Sequence, residues 1–239
     1  MTEEKKPLPN KESIEEFLES FKMASERKRL GLLNGLEERV EDLISLGANL
    51  MAGFDPGSSD WTPGFILQII HKTDENFIQN TLNCHDLSWF HAPSNVGFDY
   101  SPLQRYLLNE RYEDADRFTS TKLRELAGEK AVKRGYVYFS EVESIPSIDL
   151  STLDKLWIVY SRGKFGFTVQ AKILDSLGGR YDKLWPRIGW KKDGIWTRYP
   201  KAFNWSIEAP NGHMPLVNQL RGVRLMDALL NHQGFKAKS

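Results

Sequence analysis

Apolar residues recur at helical intervals along most of the chain, and that periodicity predicts an all-α protein. From Ser13 the positions Ile14, Phe17, Leu18 and Phe21 share one face, behind a Ser-x-x-Glu start suited to a capping box. Leu32, Leu33, Leu36, Val40, Leu43, Ile44 and Leu46 continue the pattern as far as Gly47, a plausible stop. Asp55-Pro-Gly-Ser-Ser-Asp60 reads as a turn. Phe65 to Ile70 and Asn76 to Leu82 then read as two further helices. Residues 13–92 are thus expected to form a small accessory helical bundle behind a polar, disordered tail at 1–12.

Residues 91–100 form the link to a second helical domain, expected to span 96–232 and to end in a short tail at 233–239. Pro102 suits a first helical turn ahead of Leu103, Tyr106 and Leu107. A helix from about Glu113 to Leu126 stops at Gly128, and Ser151 with Asp154 resembles a capping box before Leu153, Leu156 and Trp157. Thr168 to Leu177 carries Val169, Ile173 and Leu177 on one face and closes at Gly178-Gly179. The last helix is expected from Pro215 to about Asn231, with Leu216, Leu220, Val223 and Leu230 packing and Asn218 and Arg221 pointing broadly away. No repeat of solenoid length is visible.

Composition sharpens this division. The net charge is zero, but residues 1–95 hold 9 Lys/Arg against 16 Asp/Glu, whereas 96–239 hold 23 against 16. Aromatic residues are split the same way, 8 before residue 96 and 20 after it, so the basic half is the one fitted to an anionic, apolar partner. Cys84 stands alone, which rules out an intrachain disulfide or a paired-cysteine zinc site and suits a buried, reduced thiol. No apolar run approaches the roughly 20 residues of a membrane span. The polar, acidic start resembles neither a secretory signal nor a transit peptide, so a soluble chain is expected.

Residues 185–213 do not behave like a connection. They are interrupted by Pro186, Pro200 and Pro210, and they carry Trp185, Trp190, Trp196, Tyr199, Phe203 and Trp205. Composition leaves two readings open: a second core, or a concave apolar surface. Arg187, Arg198, Arg221 and Arg224 lie in or just after this stretch, and planar guanidinium groups suit carboxylates or phosphates. A flat apolar ligand with acidic arms, such as a porphyrin, would satisfy both features. Burying roughly 300 Å² of it gives on the order of 7 kcal/mol before association costs.

Catalytic chemistry is poorly served. His71, His85 and His91 lack metal-type neighbours, and His213 and His232 are far apart in sequence. Glu141 and Glu143 would face one side of an extended segment and could mimic an acid–base pair, although a structural or solvated role suits them better. Phe165-Gly-Phe lacks the further glycines of a dinucleotide loop. The expectation is a protein without catalytic activity. Two other readings share the aromatic and cationic residues: a haem or bilin carrier, and a single-stranded nucleic-acid binder, which the zero net charge disfavours.

Several runs together resemble a known family. They are Tyr138-Phe-Ser-Glu-Val-Glu143, Ile148-Asp-Leu150, Leu156-Trp157, Phe165-Gly-Phe-Thr-Val-Gln170, Gly212-His-Met-Pro-Leu216 and Asn218-Gln-Leu-Arg-Gly-Val-Arg224, with Ala115-Asp116 and Leu126-Ala-Gly128. In order and spacing they resemble the genomes-uncoupled tetrapyrrole-binding regulators of magnesium chelatase from cyanobacteria and chloroplasts, over about residues 98–230.

The resemblance implies a helical core shaped like a cupped hand, closed by long aromatic loops. It implies binding of protoporphyrin IX and Mg-protoporphyrin IX and stimulation of magnesium chelatase through its large porphyrin-binding subunit, in chlorophyll biosynthesis. It further implies a monomer in cyanobacterial cytoplasm or plastid stroma, compatible with peripheral contact with thylakoid or envelope membranes, and no nucleic-acid partner. By motif position, Phe139, Tyr199 and Phe203 would wall the ligand, Arg221 and Arg224 would meet propionates, and Asn218 would offer magnesium an axial oxygen. Trp196, from the same aromatic stretch, joins the candidate wall, while His213 is expected to be structural. Ser120 stands where the family often has arginine, Tyr199 where tryptophan is frequent, and Met214 where leucine is usual.

Overall fold

A computed structural model describes residues 12–84, 87–217 and 223–235. The first half comprises α1 (Ile14–Met23), α2 (Glu26–Gly31), α3 (Leu33–Glu37), α4 (Val40–Ser45), α5 (Thr62–Thr73) and α6 (Phe77–Asn80). The second comprises α7 (Ser101–Leu108), α8 (Tyr112–Leu126), α9 (Glu129–Arg134), α10 (Ser147–Val159), α11 (Phe167–Ser176), α12 (Tyr181–Arg187) and α13 (Arg224–Leu230). Beside them lies a two-stranded ribbon, β1 (Lys191–Lys192) with β2 (Ile195–Trp196). The all-α expectation holds.

Local chemistry explains the first elements. The Ser13 hydroxyl accepts from the Glu16 amide, and the Glu16 carboxylate accepts from the Ser13 amide, completing the capping box. The run from Leu32 to Leu46 is not one helix. It breaks at Leu32 and Arg39, whose ψ angles have left the helical range, and Gly47 follows with a positive φ of 56°. Gly35 packs against the Phe17 ring closely enough that a Cβ would come within 2.9 Å of it, so the short helices bend around α1.

The helix α5 is buried from Thr62 to Ile70 and sits between the two halves. It reaches across to α7 and α10. A Cβ on Gly64 would lie 2.0 Å from the Val159 carbonyl oxygen, so only glycine permits this approach. One turn on, the Gln68 amide donates to the carbonyls of Leu107 and Tyr160, both at 2.9 Å. The apolar core runs through both halves as a single cluster.

Helix α10 is the axis of the second half, with buried residues on all sides from Asp149 to Val159. It starts at Ser147, one turn before the expected cap. Ser151 and Asp154 therefore lie inside it rather than ahead of it. Their polar groups serve neighbouring segments. The Ser151 hydroxyl donates to the Gly234 carbonyl, and residues 233–235, expected as the start of a tail, form a packed 3-10 turn with Phe235 stacked on Phe167. The Asp154 carboxylate accepts from the amide and the hydroxyl of Thr168, in the first turn of α11.

The link at 91–100 is likewise fastened to α10. Asp149 accepts from the Ser94 hydroxyl, the Asn95 amide and the Tyr100 hydroxyl, and Thr152 donates to the Pro93 carbonyl. The linking segment is thus a part of the core surface.

The aromatic stretch holds regular elements, and one expectation beside it needs correction. Helix α12 continues through Pro186, and the ribbon turns at Asp193-Gly194, both with positive φ, as tight hairpins require. The last helix does not begin at Pro215; α13 starts at Arg224. The Leu216 amide is taken by Asp116 of α8 and the Pro215 carbonyl by Gln170 of α11, so backbone groups of this stretch bond sideways instead of along a helix.

Two outcomes follow from this packing. Gly64→Ala should force α5 and α10 apart and cost about 3 kcal/mol, roughly 6–12 °C in thermal midpoint. Gly31→Ala, where a Cβ meets nothing within 4 Å, should leave the midpoint essentially unchanged. Equal effects at both positions would contradict the close approach.

Burial pushes the Asp154 carboxyl up to about 6 from its ordinary 3.8, against the lowering influence of the Thr168 hydrogen bonds. The folded chain therefore holds this proton more tightly than the unfolded chain. The resulting stability is complete below about pH 4 and is lost as pH rises through about 6. Relative to the parent, Asp154→Asn should gain on the order of 2–3 kcal/mol between pH 4 and pH 7.5 in urea unfolding. A difference that does not change with pH would show that the carboxyl titrates normally.

Candidate functional site

One face of α8 carries Asp116, Arg117, Ser120, Thr121 and Arg124, while the opposite face buries Ala115, Thr119, Leu123 and Leu126. This polar stripe forms one wall of a cavity of about 790 Å³. The second wall is the arm that leaves β2, with Trp196, Thr197, Arg198 and Tyr199. Leu216 and Val217 form the third. A narrower recess of about 130 Å³ adjoins it, sharing Ser120, Arg124, Leu216 and Val217 and adding the apolar Leu123, Val137, Ile145, Leu225 and Leu229. The larger volume is within the usual range for small-molecule sites.

The β2 arm is braced from behind. Thr197 donates through its amide to the Trp190 carbonyl and through its hydroxyl to that of Gly189. Trp185 and Trp190 stack nearly parallel at 5.6 Å, and the Trp190 indole N–H donates to the His213 carbonyl. Both indoles belong to the core. Trp196 tilts against Trp185 at 5.5 Å and faces the cavity. The two readings of the aromatic stretch therefore both apply: its first indoles are core, and its arm is a wall.

Among the candidate wall residues, Trp196 and Tyr199 line the cavity, with Tyr199 48 % exposed. Phe203 does not. It is 6 % exposed, stacked between Trp205 and His213 behind Tyr199, so it supports the wall without forming it. Phe139 is 47 % exposed on the 3-10 turn Phe139–Ser144, away from the cavity lining, and the Arg224 guanidinium sits over its ring at 5.5 Å. Asn218 and Arg221 lie outside the described residues.

The α8 stripe was the part hardest to see in the sequence. Arg117 and Arg124 line the cavity alongside Arg198, one turn before and one turn after Ser120. Arg117 is paired with Glu113 at 2.5 Å, which partly neutralises it, and Arg124 donates to the Thr121 hydroxyl. The available signal was the 116/117, 120/121, 124 spacing of polar residues on a helix whose other face is apolar.

Asp116 lies at the base of the cavity, 1 % exposed. Its Oδ1 accepts from the Leu216 amide at 2.7 Å, whereas the buried Oδ2 has no well-formed hydrogen bond, although the Tyr199 hydroxyl interacts with the carboxylate. Burial pushes its pKa up to about 7, opposed by the Leu216 amide, Tyr199 and Arg117 and reinforced by Glu113. The Tyr199 hydroxyl is raised in turn, by burial and by the nearby Asp116 charge.

The other titratable candidates have structural duties. His213 is buried, with Nδ1 at 2.7 Å from the Ile188 carbonyl, and burial lowers its pKa, so it is neutral with its proton on Nδ1. Glu141 is not part of an extended acid–base pair. It accepts from the Tyr138 amide and meets Arg134 at 2.5 Å inside a 3-10 turn. Among the described residues, no group of three or more His, Cys, Asp or Glu could hold a metal ion. Aromatic and aliphatic walls with cationic side chains at the edge suit a flat apolar molecule with acidic arms.

Comparison with known proteins finds relatives of nearly the whole chain and of its second half. A family model described as GUN4-like matches residues 93–233. The Ycf53-like protein of Synechocystis is 38% identical over 226 residues, covering 92% of this chain and 96% of its own length. The chloroplastic tetrapyrrole-binding protein of Arabidopsis thaliana is 37% identical over 145 residues, covering 57% of this chain and 55% of its own. GUN4 from Chlamydomonas reinhardtii superposes with a TM-score of 0.57 at 38% identity, over 61% of this chain and 93% of that one. Ligand-free GUN4 from Arabidopsis gives 0.54 at 38% identity, over 59% and 99%. The chain belongs to the GUN4-like family.

Proposed function

We propose that the chain is a non-catalytic tetrapyrrole-binding regulator that holds protoporphyrin IX or Mg-protoporphyrin IX and presents it to the large porphyrin-binding subunit of magnesium chelatase, stimulating chlorophyll synthesis. The observation that carries the reading is the cavity itself, walled by Trp196, Tyr199, Leu216 and Val217 and edged by Arg117, Arg124 and Arg198. The Arabidopsis relative, named a tetrapyrrole-binding protein, supports the ligand class.

In this reading the rings and aliphatic walls remove the macrocycle's faces from water. Cations at the edge fix its acidic arms by charge-assisted hydrogen bonds. Arg117 is partly engaged by Glu113, so Arg124 and Arg198 would carry more of that role. Arg221 is a further candidate for that role by motif position, as is Arg224, which stands over the Phe139 ring outside the cavity lining. The adjoining apolar recess would take a ring edge or a small substituent. Magnesium at the ring centre favours an oxygen donor, for which the Asn218 carbonyl is the candidate. The relatives from Synechocystis and from a chloroplast are the ground on which we place the protein in cyanobacterial cytoplasm or plastid stroma. Among the described residues no helix is long and apolar enough to cross a membrane.

Titration of protoporphyrin IX and its magnesium form, followed by ligand absorbance and tryptophan quenching, should saturate at micromolar concentration or below. Arg124→Ala should weaken binding about tenfold, the loss expected for one charge-assisted hydrogen bond of about 1.4 kcal/mol. Trp196→Phe should bind comparably but with reduced quenching. The wild-type chain, added to chelatase containing the large subunit, should raise its rate at limiting porphyrin, and Arg124→Ala should do so less. Absence of saturable porphyrin binding, or salt-steep oligonucleotide binding in its place, would reject the proposal.

A further inference from the structure

Three walls of the cavity meet at Asp116. The residue itself belongs to α8, its Oδ1 holds the amide of Leu216, and its carboxylate interacts with the hydroxyl of Tyr199 on the β2 arm. The Met214–Val217 wall has no regular secondary structure to hold it. From the α11 side it is tied by the Gly166 amide to the Met214 carbonyl and by Gln170 to the Pro215 carbonyl. On the α8 side the tie is Asp116. Leu216 and Val217 face both the cavity and the adjoining recess, so the position of this short segment sets how far each opens.

Burying a carboxylate here is costly, as its raised proton affinity shows. A well-packed apolar residue would avoid that cost but would leave the Leu216 N–H unpaired in the interior. An acceptor at this position is therefore what the local backbone requires.

We propose that Asp116 is the positioning residue of this pocket: by accepting the Leu216 amide it holds the 214–217 wall at the distance from α8 that a flat ligand needs. The inference rests on the tetrapyrrole reading for its ligand, but the tie itself can be tested without one.

The experiment compares wild type with Asp116→Asn, which keeps a carbonyl acceptor, and with Asp116→Leu and Asp116→Ala, which do not. Circular dichroism and thermal unfolding identify the folded variants, and the smaller alanine carries the comparison if leucine does not fold. Amide hydrogen exchange on the unliganded protein should show Leu216 protected in wild type and Asp116→Asn. It should exchange at least tenfold faster in the acceptor-less variants, with the Leu153 amide inside α10 unchanged. Protoporphyrin IX titration should give dissociation constants within threefold of wild type for Asp116→Asn and at least tenfold weaker for Asp116→Leu or Asp116→Ala.

Rescue by asparagine distinguishes positioning from a general loss of packing or charge. The inference is overturned if Leu216 exchange does not respond to loss of the acceptor, if the acceptor-less variants bind like wild type, or if Asp116→Asn is as impaired as they are. Failure of wild type to bind porphyrin would instead remove the tetrapyrrole reading, and the exchange result would still decide whether the tie exists.

Discussion

A helical core crossed by irregular chain must give every buried amide and carbonyl a partner, and the structure depends on how this chain does so. Helices satisfy their own backbones, but the stretches at 91–100 and 212–217 run over apolar surface without that provision. Buried side chains supply the missing partners. Asp149 serves the first stretch, Asp116 and Gln170 serve the second, and Gln104 both accepts from and donates to the backbone of Phe90. Asp154 does the same for the first turn of α11. Each residue spans a long interval in sequence, so these bonds fix tertiary arrangement more than local conformation.

That division explains which features could be read from the sequence. Helices with a wide apolar face and neighbours of the same kind, such as α1 and α8, follow from periodicity with boundaries displaced by a residue or so. Helix α11, close to its expected bounds, buries Phe167, Gln170 and Leu174 more deeply than the expected Val169, Ile173 and Leu177. The start of α10 and the stretch after Pro215 do not follow from periodicity. At Ser151 and Asp154 the pattern of a cap is present, but the bonds go to Gly234 and Thr168. After Pro215 the apolar spacing suits a helix, yet Gln170, 45 residues earlier, takes the Pro215 carbonyl that such a helix would turn to its own backbone. Local pattern cannot register a partner so distant in sequence.

The site was legible to a similar degree. Proline-broken aromatic sequence marked 185–205 as unusual, and that stretch does supply Trp196 and Tyr199. It could not show that Phe203 would turn inward against His213, because composition does not say which ring of a cluster faces water. The facing wall on α8 has an ordinary amphipathic pattern, in which Arg117 and Arg124 resemble any solvated flank. Only their position opposite the β2 arm gives them a common direction. A concave site is a relation between surfaces, and each surface taken alone is unremarked in sequence.

The contact between Gly64 and the Val159 carbonyl limits what could ever replace α5. An interchangeable segment would have to present a residue without a side chain at one height and an amide donor four residues later, where Gln68 serves Leu107 and Tyr160. Grafting an arbitrary amphipathic helix onto that face would meet the hydrophobic demand and miss both of the others. The joint between the two halves therefore behaves as a keyed fitting, and a chimaera assembled from two relatives should keep α5 and α10 from the same parent.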